Sequence, residues 1–250
     1  MALKLNETVA LVTGASSGIG AATAEELARR GARVILAARR ADRLAERVTA
    51  IISAGGQATA IQADVADTAA LEKLAQDAIA VYGRVDALIN NAGMGGHRRY
   101  EEIPQEEILH QINVNFVAPT LLTRLLLPEM LARKRGAIVF VASVSGHIAT
   151  DPLYSGTKFG VRGFALSLRR ELRRTGVSVS TVSPGFIRTE LTTWRRSRAK
   201  MPGPEIVATT IADLLVHPRR EVVVPFQYRG AIAAEIIAPW AVDRALHSMR

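Results

Sequence analysis

Short β-branched segments alternate with longer helical segments along this chain, and the alternation restricts its fold more than any other feature. Strands are predicted at 8–13, 33–38, 58–63, 86–90, 137–142, 177–182 and 221–225. Helical periodicity predicts helices near 18–30, 41–53, 68–82, 104–133 and 155–174. Strands separated by helices pair in parallel through right-handed crossovers. The sequence therefore predicts an α/β fold, a doubly wound seven-stranded parallel sheet with helices on both faces.

Length and composition indicate one domain over residues 1–250, since neither a linker nor a repeat interrupts the pattern. The absence of cysteine excludes disulfides and thiolate metal sites, and the five histidines show no ligand spacing, so no metal is expected. The first residues show no basic region followed by a long apolar stretch, so no signal peptide is expected, and no apolar run reaches the ~20 residues that a spanning helix needs. We expect a cytoplasmic protein without a transmembrane segment.

The formal net charge of +9 raises the question of nucleic acid, but the arginines are spread along the chain without a recognisable binding module. We therefore expect no nucleic-acid partner. A basic surface also attracts small polyanions, and a dinucleotide is one.

A glycine-rich turn, TGASSGIG at 13–20, follows the first predicted strand and opens the first predicted helix. Glycine permits close backbone approach, and a helix N-terminus offers amide donors to a pyrophosphate. The spacing G-x-x-x-G-x-G differs from the commoner dinucleotide fingerprint, so a tight turn without a ligand remains an alternative.

Tyr154 and Lys158 are four residues apart and share one face if their segment is helical. A nearby ammonium favours the phenolate and lowers a tyrosine pKa by roughly 1–3 units. The pair therefore predicts a general acid/base whose tyrosine pKa is lowered by the lysine. The alternative is that a tyrosine and a lysine occur four residues apart by chance.

These motifs occur in a family-specific order: TGASSGIG at 13–20, NNAG at 90–93, Asn115, Ser143 and YSGTK at 154–158. In this order the chain resembles the short-chain dehydrogenase/reductases with chains of about this length, over roughly residues 6–215. The resemblance implies a single Rossmann-type domain. It also implies these catalytic residues: Asn115, Ser143, Tyr154 and Lys158. Ser145 and Asn113 are the rival serine and asparagine.

The resemblance also implies a set of cofactor-binding residues. They are Gly14, Ser16, Ser17, Gly18, Ile19, Gly20, Arg39, Arg40, Asp64, Val65, Asn91, Ala92, Gly93, Tyr154, Lys158, Pro184, Gly185, Ile187 and Thr189. Enzymes that use NAD place an acidic residue at the end of the second strand, where this chain has Ala38 followed by two arginines. Guanidinium groups bind a 2′-phosphate, so the expected cofactor is NADP, with Arg39 the favoured contact and Arg40 over the adenine.

The implied reaction interconverts a small ketone or aldehyde and an alcohol by hydride transfer. Two alternatives are a 3-oxoacyl-[acyl-carrier-protein] reductase and, in a different class, a regulator that senses NADPH without turnover. A homodimer or homotetramer is expected through the helices at 104–133 and 155–174.

Two C-terminal segments have expected roles of their own. Residues 190–204 are expected to form a mobile lid over the substrate, and the arginines at 195, 196 and 198 are expected to be solvated. The tail, 229–250, is expected to form a helix whose apolar face packs on the body or on a partner subunit. A pocket wall and a peripheral membrane contact are the alternatives for this tail.

Overall fold

The computed structural model describes residues 2–95, 99–193 and 198–247. Within them one parallel sheet has the strand order β3-β2-β1-β4-β5-β6-β7. The strands are β1 (Val9–Thr13), β2 (Arg33–Ala38), β3 (Gln57–Gln62), β4 (Ala87–Asn90), β5 (Gly136–Val141), β6 (Val177–Pro184) and β7 (Glu221–Val224). The predicted fold class is confirmed, and each predicted strand is within two residues of its observed bounds.

Helices cover both faces of this sheet. They are α1 (Gly18–Arg29), α2 (Ala41–Ser53), α3 (Thr68–Tyr82), α4 (Gln105–Ile112), α5 (Ala118–Ala132), α6 (Pro152–Glu171), α7 (Glu205–Val216), α8 (Tyr228–Ile237) and α9 (Pro239–His247). One hydrophobic cluster joins the sheet to α1, α2 and α7, and a second joins it to α3, α5 and α6.

Alternate residues along the strands supply the two clusters, because successive side chains of a strand point to opposite faces. In β2, Leu36 belongs to the α1 side and Ile35 to the α3 side. In β5, Val139 and Phe140 divide in the same way. Both faces are buried, which explains why these strands are continuously apolar.

The strand order reverses between β1 and β4, since β1 is followed on one side by β2 and on the other by β4. In open α/β sheets a ligand crevice forms at the carboxyl ends of the strands at such a reversal. The glycine-rich turn and NNAG both follow strands that border this crevice.

The predicted helices differ from the structure in three places. The helix predicted at 155–174 begins earlier, at Pro152, because Asp151 Oδ1 accepts a hydrogen bond from the Tyr154 amide at 2.7 Å. The helix predicted at 104–133 is interrupted by a π-helical turn, Asn113–Val117. Helix α7 was not predicted, and its sequence, EIVATTIADLLV, is rich in β-branched residues that favour strands.

The stretch Gln105–Ala132 has the length and apolar composition of a helix that could cross a membrane. Leu122, Leu126 and Met130 in this stretch are buried in the cluster on the α3 side of the sheet. Burial against the sheet accounts for their apolar character.

The tail forms two short helices, α8 and α9, instead of one. The break falls at Ala238, directly before Pro239, where a proline disfavours the helical conformation of the preceding residue. Ile236, Ile237 and Trp240 are 77%, 81% and 73% exposed, so these three side chains do not pack on the body, and packing on a partner subunit stays a prediction.

Candidate active site

The turn between β1 and α1 forms a cradle for an anion. Gly14 and Gly18 have backbone φ angles of +65° and +55°, which residues with a side chain rarely adopt. A Cβ on Gly14 would lie 2.8 Å from the Ala92 Cα, so the turn lies directly against the end of β4. Ser17, at the N-cap of α1, makes no side-chain capping hydrogen bond to the helix. The predicted turn residues Ile19 and Gly20 are in the first turn of α1, with Ile19 packed against the core.

Arg40, and not Arg39, contacts this turn. Arg40 Nη2 donates to Ser17 Oγ at 2.8 Å and to Ser16 Oγ at 3.1 Å. Arg39 points elsewhere, with its Nη1 3.9 Å from Asp64 Oδ2 and its side chain 65% exposed. Of the two arginines that the sequence predicted as cofactor contacts, Arg40 is thus the one beside the glycine-rich turn.

The residues predicted around the adenine and the central cleft lie at the ends of β3 and β4. Val65 is buried, and Asp64 Oδ1 accepts a hydrogen bond from the Ala66 amide at 3.0 Å. Asn91 Nδ2 donates to the Thr13 carbonyl at 2.9 Å, and the Ala92 amide donates to Thr13 Oγ1 at 3.1 Å. These bonds join the ends of β1 and β4 across the crevice.

Tyr154 and Ser143 come together at the carboxyl end of β5. The Ser143 side chain lies close enough to the Tyr154 hydroxyl to lower the pKa of the phenol. The Ser145 amide donates to Ser143 Oγ at 3.0 Å, while Ser145 Oγ faces Thr150 Oγ1 at 3.2 Å. The structure thus brings Ser143, and not its rival Ser145, to the phenol.

Burial raises the pKa of Tyr154, and the Asp151 carboxylate adds a smaller contribution in the same direction. The Ser143 side chain opposes the rise. The sequence predicted a lowered pKa through Lys158, whose Nζ lies 5.7 Å from the Tyr154 ring centroid. Burial has the largest effect on the pKa of this phenol, so the phenol is protonated at neutral pH.

Lys158 is buried, with Nζ donating to the Val141 carbonyl at 3.0 Å. Burial lowers the pKa of Lys158 from 10.5 to about 8. The amine is therefore close to half protonated in mildly alkaline solution, and its charge is sensitive to whatever anion or dipole enters the crevice.

Asn115 lies in the π-helical turn, and its amide is fully used. Its Oδ1 accepts from the Met94 amide at 2.8 Å, and its Nδ2 donates to the Met94 carbonyl at 2.8 Å and to Thr157 Oγ1 at 3.0 Å. A Cβ on Gly93 would lie 3.4 Å from Lys158 Nζ. Asn115 thus holds the segment after β4 beside the lysine. Its rival Asn113 begins the same turn and is less buried.

The loop after β6 carries the residues predicted on the nicotinamide side. Pro184 ends β6, Gly185 and Ile187 follow it, and a Cβ on Gly18 would lie 3.2 Å from Thr189 Cγ2. Ile187 is buried, so its side chain packs inward. The short distance from Gly18 to Thr189 places Thr189 directly over the glycine-rich turn.

Sequence reasoning missed two residues at this loop. Tyr228, at the start of α8, accepts a hydrogen bond from the Phe186 amide through its hydroxyl at 3.3 Å, and its ring lies against Gly185. Glu190, directly after Thr189, forms an ion pair with Arg40 at 3.0 Å. Neither contact joins residues close in sequence, so no local pattern could reveal it.

The segment predicted as a lid is described at 190–193 and 198–204, and residues 195 and 196 lie outside the described residues. It contains two short helical turns, Glu190–Thr192 and Arg198–Lys200. The Arg188 amide donates to the Pro202 carbonyl at 2.9 Å, which fastens the end of the segment beside the loop after β6. Among the described residues no group of acidic or histidine side chains could hold a metal ion.

These residues fit a dinucleotide. The glycine turn accepts no side chain at its close approach to β4, and Ser16, Ser17 and Arg40 are donors suited to a phosphate. The Tyr154 phenol and the Lys158 amine lie at the carboxyl ends of the parallel strands. A proton donor beside a dinucleotide crevice is the arrangement that a nicotinamide-dependent oxidoreductase needs.

Comparisons with known proteins identify the family. The family model for short chain dehydrogenases matches residues 8–200. The chain is similar to the ketoacyl reductase HetN of Nostoc, with 37% identity over 94% of this chain and 86% of HetN. The chain belongs to the short-chain dehydrogenase family, as the sequence predicted.

Two solved structures are also similar. A metagenomic short-chain oxidoreductase in complex with NADP has a TM-score of 0.79 at 35% identity, covering 89% of this chain and 98% of that one. A variant of the actinorhodin polyketide ketoreductase with NADPH has a TM-score of 0.80 at 31% identity, covering 90% and 97%.

Replacing Lys158 with methionine is expected to stabilise the fold while removing activity. Below pH 8 both the folded and the unfolded chain carry the Lys158 charge. The lowered pKa means that burying this charge lowers the free energy of unfolding there by about 3 kcal/mol. This penalty disappears as the pH rises from about 8 to 10.5, because the folded state releases its proton first. Part of the gain is offset by the Val141 carbonyl, which loses a donor.

Thermal unfolding measured from pH 7 to pH 10.5 tests this expectation. Lys158→Met should melt a few degrees higher than the wild type at pH 7, and the difference should shrink towards pH 10.5. Lys73→Met, at a lysine whose side chain is 77% exposed, is the matched control and should show no such pH dependence. A difference that is constant with pH would contradict the burial argument.

Proposed function

We propose that the chain is an NADP(H)-dependent oxidoreductase that interconverts a carbonyl compound and an alcohol, with Tyr154 as its acid/base. The observation that carries this proposal is the placement of the Tyr154 phenol close to the Ser143 side chain and to buried Lys158, at the carboxyl end of β5. The NADP and NADPH bound to the similar structures support the cofactor.

NADPH bound in this crevice would supply a hydride to the carbonyl carbon. Ser143 and Tyr154 donate hydrogen bonds to the carbonyl oxygen, and the Tyr154 proton passes to that oxygen as the new C–H bond forms. Each turnover thus consumes one hydride and one proton and yields the alcohol. Lys158 stabilises the resulting phenolate until solvent restores its proton, and Asn115 holds the segment after β4 beside the amine.

The raised pKa of Tyr154 favours the reducing direction at neutral pH, because the phenol then holds the proton that the carbonyl oxygen needs. Oxidation of an alcohol requires the phenolate and is expected to accelerate as the pH increases.

A 3-oxoacyl thioester is the second candidate substrate, favoured by the names of two similar proteins, a ketoacyl reductase and a polyketide ketoreductase. A panel of simple ketones, aldehydes and 3-oxoacyl thioester analogues, assayed by loss of NADPH absorbance, distinguishes the two candidates. Turnover of at least one carbonyl class is expected. NADPH binding without turnover of any would favour a sensor.

A homo-oligomer is proposed through α4, α5 and α6. Added Cβ atoms on Gly156 and Gly163 of α6 would meet nothing within 4 Å, and Phe159 between them is 41% exposed. A cleft of about 320 Å³ lies at the start of this helix. Such a surface suits a two-fold contact in which a partner helix approaches closely.

Light scattering at micromolar concentration tests the oligomer. The wild type should be a dimer or tetramer, and Gly163→Glu should shift it towards the monomer by placing a charge on the contact. Gly230→Glu, at an open glycine of α8, is the matched control and should leave the mass unchanged. A wild-type monomer would refute the proposal.

A further inference from the structure

Glu190 brings a carboxylate to the anion cradle from the opposite side of the crevice. It follows Thr189 and begins a short helical turn whose geometry is fixed by a reciprocal capping box between Thr189 and Thr192. Its Oε2 lies 3.0 Å from Arg40 Nη2 and accepts a hydrogen bond from Ser17 Oγ at 3.0 Å. Its Oε1 lies 3.3 Å from Arg40 Nη1.

The carboxylate thus uses the same donors that a cofactor phosphate needs. Arg40 forms a fork with both of its Nη atoms on Glu190, the geometry with which arginine also grips phosphate. Ser17 Oγ is shared between Arg40 and Glu190. The Arg40 guanidinium also holds the pKa of the Glu190 carboxyl below its usual range, so the competing charge is present at neutral pH.

The pair contributes little to the stability of the fold. The Arg40 and Glu190 side chains are 43% and 61% exposed, and exposed ion pairs are weak in water. A weak pair that occupies a ligand's donors can be displaced readily. The apparent affinity is nevertheless reduced to the intrinsic affinity multiplied by the fraction of molecules in which the pair is open.

We propose that Glu190 is an internal competitor for the 2′-phosphate of NADP(H), which it mimics by binding Arg40 and Ser17. When the phosphate takes these donors, Glu190 is released. Glu190 therefore sets how strongly the enzyme prefers NADP(H) to NAD(H). The inference rests on the proposed cofactor, and NADH, which lacks the 2′-phosphate, is the natural internal comparison.

Calorimetric titration of NADPH and NADH into the wild type and Glu190→Gln tests the competition without any turnover. Glutamine keeps the size of the side chain and removes its charge, so NADPH should bind about two- to five-fold more tightly, the range expected for loss of one exposed ion pair. The affinity for NADH should change by less, so the preference for NADPH should increase.

Glu46→Gln is the matched control, because Glu46 is an exposed carboxylate on α2 paired with Arg43 and Arg47. It removes the same unit of charge from the protein without touching the cradle, and it should leave both affinities unchanged. An equal effect of the two variants would attribute the change to overall charge and overturn the proposal.

Unchanged or weaker binding of NADPH by Glu190→Gln would also overturn it, since Glu190 would then be neutral or helpful to binding. If Glu190→Gln increased the affinity for NADH as much as the affinity for NADPH, the 2′-phosphate would not be the competing group. Equal affinity of the wild type for the two cofactors would instead remove the proposed NADP preference, and the competition with it, and that result is read from the wild type alone.

Discussion

Tyr154→Phe is expected to lower kcat by about 10²–10⁴-fold, or to abolish turnover where no other proton source reaches the oxygen. The ring that packs between Ser143 and Lys158 is kept, and only the hydroxyl that donates the proton is lost. Because that hydroxyl acts on the substrate oxygen, NADPH affinity should remain within a few-fold of the wild type. Steady-state kinetics on any substrate found by the panel, together with NADPH titration, provide the measurement.

Tyr82→Phe is the matched control for this substitution. Tyr82 ends α3, and its hydroxyl lies 3.2 Å from Thr59 Oγ1, a contact outside the crevice. The control should retain turnover. Near-normal kcat in Tyr154→Phe would disprove the acid/base assignment.

Arg40→Ala is expected to weaken NADPH binding by about 10–100-fold, because each charge-assisted hydrogen bond to the phosphate contributes about 1.5–3 kcal/mol. NADH binding should change little, since its ribose carries no phosphate. Arg40 is the stronger candidate because its guanidinium already contacts Ser16 and Ser17.

Arg39→Ala is the natural comparison, since Arg39 follows the same strand but faces Asp64. We expect a smaller loss of NADPH affinity than for Arg40→Ala. A larger loss would restore the assignment that the sequence suggested. Wild-type kcat/KM values for NADH and NADPH of nearly equal size would contradict the cofactor preference altogether.

Local patterns predicted much of this molecule. The strands were predictable because a sheet covered on both faces requires continuous apolar segments, and the glycine turn because only glycine allows its backbone and its approach to β4. Asp151 and Pro152 show the limit of periodicity, since a capping side chain and a proline, not the apolar pattern, decide where α6 begins.

Contacts between distant segments could not be predicted. The approach of Glu190 to Arg40 depends on how the loop after β6 folds across the crevice, and Tyr228 reaches Gly185 from the tail. The pKa of Tyr154 is the clearest example. The spacing of Tyr154 and Lys158 predicted a nearby ammonium group. It could not predict how deeply the phenol is buried, and burial determines the direction of the pKa shift.

Deuterium transfer tests the central claim, hydride delivery to a carbonyl carbon, most directly. The protein is incubated with NADPH deuterated at C4 of the nicotinamide and the carbonyl panel, and the products are examined by mass spectrometry. The account predicts an alcohol that carries one deuterium on the former carbonyl carbon, formed by the wild type and not by Tyr154→Phe. An alcohol without deuterium, or deuterated alcohol formed equally well by Tyr154→Phe, would contradict it.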